Sequence, residues 1–275
     1  MHFYKTTLVL LIMFTNSKLF SYEEGIAQNG NLEIYYRDYG PKDAEPILLV
    51  QGIGGQLINW PEHLIDFLLE NNFRPIVYDN RDTGLSSRIP SDSFSDAKRD
   101  NTIVKNYIRY YLRLPIASDY TLDDMAVDGI SVLNKLDISE AHILGISMGG
   151  MIAQIIVSSN PERTKTFTLI SSTASTPSPF NGPTRKVRKL LMNRTKNPNS
   201  TVDERVARSR KIFTEIGYQG IDLNTEEFYN NVSISIERGG KDDTGFGRQL
   251  NAILASQNRL DKVKSISAPT LIIHG

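Results

Sequence analysis

The chain has 275 residues, with 31 lysines and arginines, 31 aspartates and glutamates, and no cysteine. This length suits one large domain or a domain that carries an insertion, and it allows a substantial core. The balanced charge gives no global attraction to nucleic acid or to an anionic surface. The absence of cysteine excludes thiol nucleophiles, disulfides and cysteine-ligated metal sites.

The first 21 residues have the pattern of a leader. One lysine precedes an apolar run from Leu8 to Phe14, which is too short to span a bilayer and fits a secretory signal peptide. Ser21 would be the last residue removed, although Leu19 makes the small-residue cleavage signal weak. We therefore expect residues 1–21 to direct export to the periplasm or the medium. The alternatives are a wrongly assigned start or a short N-terminal anchor, and without a signal peptide the protein would be cytoplasmic.

Apolar runs of strand length recur along the chain, and they are continuous rather than alternating. Such runs predict strands that are covered on both faces, as in a parallel sheet. Upstream of them, Asn29-Gly30-Asn31 predicts a hairpin turn between Gly25–Ala27 and Leu32–Tyr39. The continuous runs are Pro46–Gly52, Arg74–Asn80, Ala141–Ser147, Thr166–Ser172 and Pro269–Gly275.

Helical patterns alternate with these strands, so the predicted fold class is α/β, with a mostly parallel sheet that opens with an antiparallel pair. The clearest helix follows the N-cap residue Thr121 and places apolar residues at helical spacing up to Leu136. Between residues 176 and 267 the strand-like runs vanish, and we expect an inserted helical cap. The core would then comprise residues 22–175 and a final strand at 268–275. The helices predicted in the cap are Asp203–Ile216, Glu226–Glu237 and Gly247–Arg259.

The motif Gly145-Ile146-Ser147-Met148-Gly149-Gly150 directly follows one of the strand runs. Glycines two residues before and two residues after a serine let a strand turn sharply into a helix, and this turn exposes the serine hydroxyl. The pattern is that of a nucleophile elbow. Ser147 is therefore the candidate nucleophile.

A serine hydroxyl is a weak nucleophile at neutral pH, so acyl transfer also needs a base, an acid that orients the base, and donors for the oxyanion. The glycine-rich loop Gln51–Gly55 follows an earlier strand and can bring a backbone N–H close to a substrate oxygen. We expect the N–H groups of Ile53 and Met148 to form the oxyanion hole. The alternative is that this loop is only a flexible strand-to-helix turn.

These motifs resemble the α/β-hydrolase fold over nearly the whole chain after the leader. GISMGG and the tract from Tyr78 to Ser87 are most similar to aclacinomycin methylesterase-like carboxylic ester hydrolases. The resemblance implies that this tract, including its charged residues, organises the rim of the site and supplies no catalytic acid. Its charged residues are Asp79, Arg81 and Asp82.

Two positions whose residue type differs among family members bear on the activity. Family members that cleave alkyl halides or epoxides carry aspartate where this chain has Ser147, which argues against those two reactions. Esterase, lipase-like, peptidase, haloperoxidase-like, acyltransferase and lyase activities stay open. The oxyanion loop of the family usually begins with histidine and here begins with Gln51, and we expect a modest effect because the donors belong to the main chain.

The resemblance also implies the chain order serine, acid, histidine, with the acid just after the strand Pro269–Gly275 and the histidine further downstream. The other acid position that relatives use corresponds to Ser171–Ser175, which contains no carboxylate. We expect the chain to be a fragment of a longer, complete enzyme. The fragment would lack the last strand and helix and would be nearly inactive by itself. The alternative is a natural protein that has lost these parts.

The four histidines do not replace the missing base in this interpretation. His274 is the only histidine after Ser147, and it matches a family residue at a strand end that borders the site. The others are His2 in the leader, His63 in a predicted helix, and His142 at the start of the strand that leads to Ser147.

The sequence therefore predicts a serine hydrolase that cleaves a small carboxylic ester through an acyl-enzyme at Ser147. It predicts no metal or organic cofactor, no nucleic-acid partner and no stable membrane span, and it leaves the oligomeric state open. One alternative is an aminopeptidase of the proline-iminopeptidase kind, and another is a noncatalytic ligand-binding homologue. The carboxylates that could hold a substrate ammonium in an aminopeptidase are Glu226, Glu227 and Glu237.

Overall fold

The sheet begins with the hairpin that the Asn-Gly dipeptide predicts. The structure is a computed structural model that describes residues 21–90, 105–106, 108–112, 114–175, 184–194, 200–218, 220–239, 244–256 and 258–274, so the predicted leader apart from Ser21 lies outside the described residues. Strands β1 (Tyr22–Asn29) and β2 (Leu32–Tyr39) are antiparallel. Gly30 has a φ of 59° in the turn, a left-handed conformation that favours glycine.

Five more strands complete the sheet within the described residues, in the order β1-β2-β4-β3-β5-β6-β7. Strands β4, β3, β5, β6 and β7 are mutually parallel, and β2 is antiparallel to β4. This topology confirms the predicted α/β class and its antiparallel opening. The strands are β3 (Glu45–Val50), β4 (Phe73–Tyr78), β5 (Ala141–Ile146), β6 (Thr164–Ile170) and β7 (Thr270–Ile273).

The predicted strand runs extend one or two residues past the observed strands at their carboxyl ends. The run to Gly52, for example, corresponds to a strand that ends at Val50, and the run to Asn80 to one that ends at Tyr78. The extra residues lie beyond the ends of the observed strands and begin loops at the carboxyl edge of the sheet, although the N–H groups of Asp79, Ser147 and Ser171 still bond carbonyls of neighbouring strands. This is the edge at which open α/β sheets bind ligands.

Helices cover both faces of the sheet. Helix α1 (Glu62–Glu70) packs on one face, where its buried residues join Leu49 in one apolar cluster. Helices α2 (Leu122–Lys135) and α3 (Met148–Ser159) pack on the other face, and their buried residues share a cluster with Leu48. Successive strand residues point to opposite faces of the sheet, so Leu48 and Leu49 pack in different apolar clusters. This double coverage explains why the strand runs are continuously apolar.

Helix α2 begins at the N-cap residue that the sequence predicts. The Thr121 hydroxyl accepts the Asp124 N–H at 3.3 Å, and the Asp124 carboxylate accepts the Thr121 N–H at 2.8 Å. This reciprocal arrangement is a capping box, which satisfies two N–H groups at the start of the helix.

Between β6 and β7 the described residues form helices α4 to α8, which we call the helical insertion. They are α4 (Arg185–Arg194), α5 (Val202–Ile216), α6 (Glu226–Gly239), α7 (Thr244–Ala255) and α8 (Leu260–Lys264). The division into a core and a cap domain over residues 176–267 stays a prediction. Within the ranges given above, the structure contains no helix of the length and apolarity needed to cross a membrane.

The predicted helix Gly247–Arg259 differs from the observed one. Helix α7 starts three residues earlier and ends at Ala255, and Arg259 lies before α8. Arg259 is buried, with its Nε donating to the Gln154 side-chain oxygen at 3.0 Å and one terminal nitrogen donating to the Thr173 carbonyl at 3.0 Å. These tertiary hydrogen bonds hold Arg259 against α3 and the loop after β6, outside any continuation of α7.

Candidate active site

Ser147 joins β5 to α3 in a strained backbone conformation. Its φ is 54° and its ψ is −120°, a region that costs a non-glycine residue about 1–3 kcal/mol unless its surroundings hold it. The Ser147 N–H donates to the Ile170 carbonyl at 3.0 Å, and the Ser172 hydroxyl donates to the Ser147 carbonyl at 2.7 Å. The residue itself is exposed. The turn therefore presents the hydroxyl as a nucleophile elbow does.

The glycines beside Ser147 are required by close backbone contacts. A Cβ at Gly145 would lie 2.4 Å from the Gly149 carbonyl oxygen, and a Cβ at Gly149 would lie 2.0 Å from the Val50 carbonyl oxygen. Neither distance leaves room for a carbon atom. Helix α3 thus begins against the ends of both β3 and β5, which brings Ser147 next to the loop that follows β3.

That loop runs from Gly52 to Gly55 and faces Ser147. A Cβ placed on Gly52 would lie 3.2 Å from the Ser147 Cβ and 3.7 Å from its Oγ. The Gly55 N–H donates to the Gly52 carbonyl at 3.1 Å, and Gly54 has a φ of 65° while Ile53 does not enter the left-handed region. These are the features of a type II turn with Ile53 and Gly54 at its centre.

In this turn the N–H of Ile53 has no hydrogen-bond acceptor among the described residues. Its neighbours are all bonded: Gly52 to the Gln51 Oε1 at 3.2 Å, Gly54 to the Gln249 Oε1 at 2.8 Å, and Gly55 to the Gly52 carbonyl. Met148 is the first residue of α3, and N–H groups in the first turn of a helix have no intrahelical acceptor. The Ile53 and Met148 N–H groups, which the sequence predicts as oxyanion donors, thus lie on the two segments that meet at Ser147.

The segment of residues 79–88 packs beside this turn. The Asn80 Nδ2 donates to the Gln51 carbonyl at 3.0 Å. The Asp79 carboxylate accepts the N–H groups of Leu57 and Leu85 at 2.8 and 2.9 Å and lies 2.6 Å from an Arg238 nitrogen. Burial raises the pKa of Asp79, and Arg238 together with these N–H groups opposes that shift. Its bonds are thus directed to the surrounding backbone and to Arg238.

Two further buried ion pairs hold the same segment. Arg81 binds both oxygens of Asp128 at 2.6 and 2.7 Å, and Arg248 binds both oxygens of Asp82 at 2.6 and 2.8 Å. Both carboxylates are completely buried. Removing one partner from such a pair leaves an uncompensated buried charge, which costs about 3–5 kcal/mol. The structure therefore gives Asp79, Arg81 and Asp82 contacts of the organising kind that the resemblance implies.

Three residues of the helical insertion that the sequence did not single out reach this region. Arg238 lies on α6, and Arg248 and Gln249 lie on α7. Their partners are far away in the chain: Gln249 bonds Gly54 across 195 positions, and Arg248 bonds Asp82 across 166. No local sequence signal marks contacts at such separations.

The three described histidines lie on β5, on α1 and directly after β7. His142 stands at the start of β5, where its Nδ1 bonds the Thr166 hydroxyl at 2.8 Å, and burial lowers its pKa. His63 is exposed on α1, and His274 is exposed after β7. The Ser147 Oγ has no hydrogen-bond partner in the described part of the chain. His2 lies outside that part.

Comparison with known proteins settles the family. A family model described as alpha/beta hydrolase fold matches residues 45–275. The chain belongs to this family. It is 28% identical over 158 residues to the rhodomycin D methylesterase DnrP of Streptomyces peucetius, which covers 58% of this chain and 41% of that protein. It is 22% identical over 263 residues to the non-heme chloroperoxidase of Burkholderia pyrrocinia, covering 91% of this chain and 80% of that protein.

Among solved structures, a carboxylesterase of Nitrososphaera gargenis matches with a TM-score of 0.65 at 17% identity, covering 91% of this α/β-hydrolase chain and 80% of that one. At this identity the likeness shows the shared fold alone. The chain spans only 41% and 35% of the lengths of the two rhodomycin D methylesterases that it matches.

Proposed function

We propose that this α/β-hydrolase fold protein is a serine hydrolase that cleaves a small carboxylic ester through an acyl-enzyme at Ser147. The observation that carries the proposal is the exposed Ser147 in a strained conformation facing the Gly52–Gly55 turn, in which the Ile53 N–H has no acceptor among the described residues. The likeness to proteins named methylesterases supports an ester as the substrate.

In the proposed reaction the Ser147 Oγ attacks the ester carbonyl carbon while its proton passes to a general base. The carbonyl oxygen becomes an oxyanion that accepts hydrogen bonds from the Ile53 and Met148 N–H groups. The C–O bond to the alcohol then breaks, and the base returns the proton to the departing alcohol. Water attacks the acyl-enzyme in the same way, which releases the carboxylic acid and restores the hydroxyl.

The proposal places the histidine base and its orienting carboxylate downstream of Gly275, in the chain order of the family. Removing the histidine of a serine protease lowers kcat on the order of 10⁶-fold. Residues 1–275 expressed alone should therefore show almost no ester hydrolysis. Turnover by this chain that Ser147→Ala abolishes would contradict this part of the proposal.

A fluorophosphonate probe on the native protein tests the proposal, because covalent labelling requires an activated serine. We expect one labelled peptide, which contains Ser147, and hydrolysis of short acyl esters. Ser147→Ala should abolish both. Ser158→Ala is the matched control, since it removes a hydroxyl from the far end of α3, where Ser158 bonds the Ile155 carbonyl. A native protein that is neither labelled nor active would contradict the proposal and favour the noncatalytic alternative.

The aminopeptidase alternative receives no support from α6. Glu226, Glu227 and Glu237 are all exposed there, so none is a buried carboxylate that could hold a desolvated ammonium group. Faster hydrolysis of prolyl amides than of short acyl esters would overturn the choice of substrate class.

A further inference from the structure

Gln249 on α7 is completely buried, and each hydrogen bond that its side chain forms with the described residues goes to one of two loops beside the site. Its Oε1 accepts the Gly54 N–H at 2.8 Å. Its Nε2 donates to the Arg81 carbonyl at 2.9 Å and to the Thr83 hydroxyl at 2.7 Å. The two donor bonds fix which end of the amide faces Gly54, because a rotated amide would oppose N–H to N–H.

The Gly54 N–H belongs to the middle peptide of the type II turn, between Ile53 and Gly54. Type I and type II turns differ mainly in the orientation of this peptide. The bond to Gln249 therefore selects one orientation, and it anchors the turn at the residue next to the proposed oxyanion donor. Rotation of this peptide alone leaves the Ile53 N–H in place, because that N–H belongs to the preceding peptide. Drift of the turn away from α7 would move the Ile53 N–H relative to Ser147, and a displacement of about 1 Å can cost 10²-fold in rate.

Helix α7 is itself seated on the neighbouring segment. Arg248 forms its two bonds to Asp82, and a Cβ on Gly245 would lie 2.2 Å from the Asp82 carbonyl oxygen. The same segment reaches the turn independently through the bond from Asn80 to the Gln51 carbonyl. The turn is thus held from two sides, by the core through Asn80 and by the helical insertion through Gln249.

We propose that Gln249 is a positioning residue, and that the oxyanion hole is fully formed only when α7 is seated so that Gln249 holds the Gly54 N–H. This inference rests on the proposed function, since an oxyanion hole serves acyl transfer. It makes the helical insertion a determinant of the chemical step in addition to any part it plays in shaping the pocket.

The test compares two Gln249 variants of the native protein with a control on the same helix. Gln249→Met keeps the length of the side chain and removes all three hydrogen bonds. Gln249→Asn keeps an amide but is one methylene shorter, so it does not reach the Gly54 N–H. The control is Asn251→Leu, because Asn251 is equally buried on α7 and bonds the Asn106 side chain at 3.1 Å rather than the turn.

We expect both Gln249 variants to lose about 10²-fold in kcat, as removal of an oxyanion donor does, with KM for a short ester changed less than threefold. Their affinity for a trifluoromethyl ketone, which forms a tetrahedral oxyanion with the serine, should fall by a similar factor. Asn251→Leu should keep kcat and this affinity within threefold of the native values even where its melting temperature falls equally.

A folded Gln249 variant with kcat within threefold of the native value would overturn the inference, and so would an Asn251→Leu variant with an equal loss. If Gln249→Met does not fold, Gln249→Asn decides. A native protein without labelling at Ser147 and without esterase activity refutes the proposed function itself. A labelled, active native protein whose Gln249 variants are unaffected refutes only the role of Gln249.

Discussion

The arginine-bound aspartates of residues 79–88 and the Glu45–Lys165 pair lie at opposite ends of the parallel sheet and differ in burial, although a buried pair, Asp38 with Arg74, also lies near the amino end. At the carboxyl end the side chains of Asp79 and Asp82 are completely buried and paired with arginines from the helical insertion. At the amino end Glu45 pairs with Lys165 while half of its side chain remains exposed. An exposed ion pair contributes about 0–1 kcal/mol to the free energy of unfolding. Breaking a buried pair is more costly, because the remaining charge is then buried without its partner and without water.

This difference shows where the fold fixes its backbone. The carboxyl end holds the strained Ser147 and the turn at Gly54 through buried bonds to backbone N–H groups, and the amino end holds neither. Groups that must be held in one geometry lie where burial makes their contacts hard to exchange for water. Mutations of the buried pairs beside the site and of the half-exposed Glu45–Lys165 pair should therefore have very different effects.

The largest effect on stability is expected at the start of α3. Gly149→Ala would place a Cβ 2.0 Å from the Val50 carbonyl oxygen, so α3 and β3 must separate. We expect a loss of more than about 4 kcal/mol in the free energy of unfolding, or no folded protein, measured by urea denaturation.

Gly30→Ala is the control for this loss, because Gly30 also resists a side chain but for a different reason. It has a φ of 59° and open space around the added Cβ, so its cost of about 1–2 kcal/mol comes from the backbone alone. Equal losses for the two variants would show that the contact with Val50 is not tight.

The next effect concerns the buried pair between the helical insertion and residues 79–88. Asp82→Ala leaves the Arg248 guanidinium buried without this carboxylate and should cost about 3–5 kcal/mol in the free energy of unfolding. Glu45→Ala, which removes the half-exposed carboxylate at the amino end, should cost less than about 1 kcal/mol. Similar costs in urea denaturation would mean that burial does not distinguish the two pairs.

The smallest effect is a pH dependence at the amino end. Burial lowers the pKa of His142 in the folded protein, so below a pH of about 6.5 the unfolded chain binds this proton first. Stability should then fall as the pH drops through this range, until the folded protein also binds the proton.

His142→Gln should reduce this dependence, measured as the free energy of unfolding between pH 8 and pH 5. An unchanged slope would assign the dependence to other groups. Glu45, which favours the protonated imidazole, and Lys165, which opposes it, are the charged groups that face His142.

Much of the fold was predictable because its signals are local. The Asn29-Gly30 turn and the Thr121 cap depend on backbone preferences or on contacts within a few residues, and Gly145 is required by the Gly149 carbonyl four residues away. The continuous apolar runs likewise predicted a parallel sheet covered on both faces, and the family model agrees with that topology.

The sequence by itself determined the class of fold, the elbow at Ser147 and the glycine-rich loop that faces it. Only the tertiary structure decided what holds that loop, which is the bond from Gln249 to Gly54. It also decided the pairs of Arg248 with Asp82 and of Arg238 with Asp79, and the bond from Arg259 to Gln154 after the end of α7. These contacts join residues that are more than 100 positions apart. Their formation depends on how helices pack onto the sheet, which a local pattern does not encode.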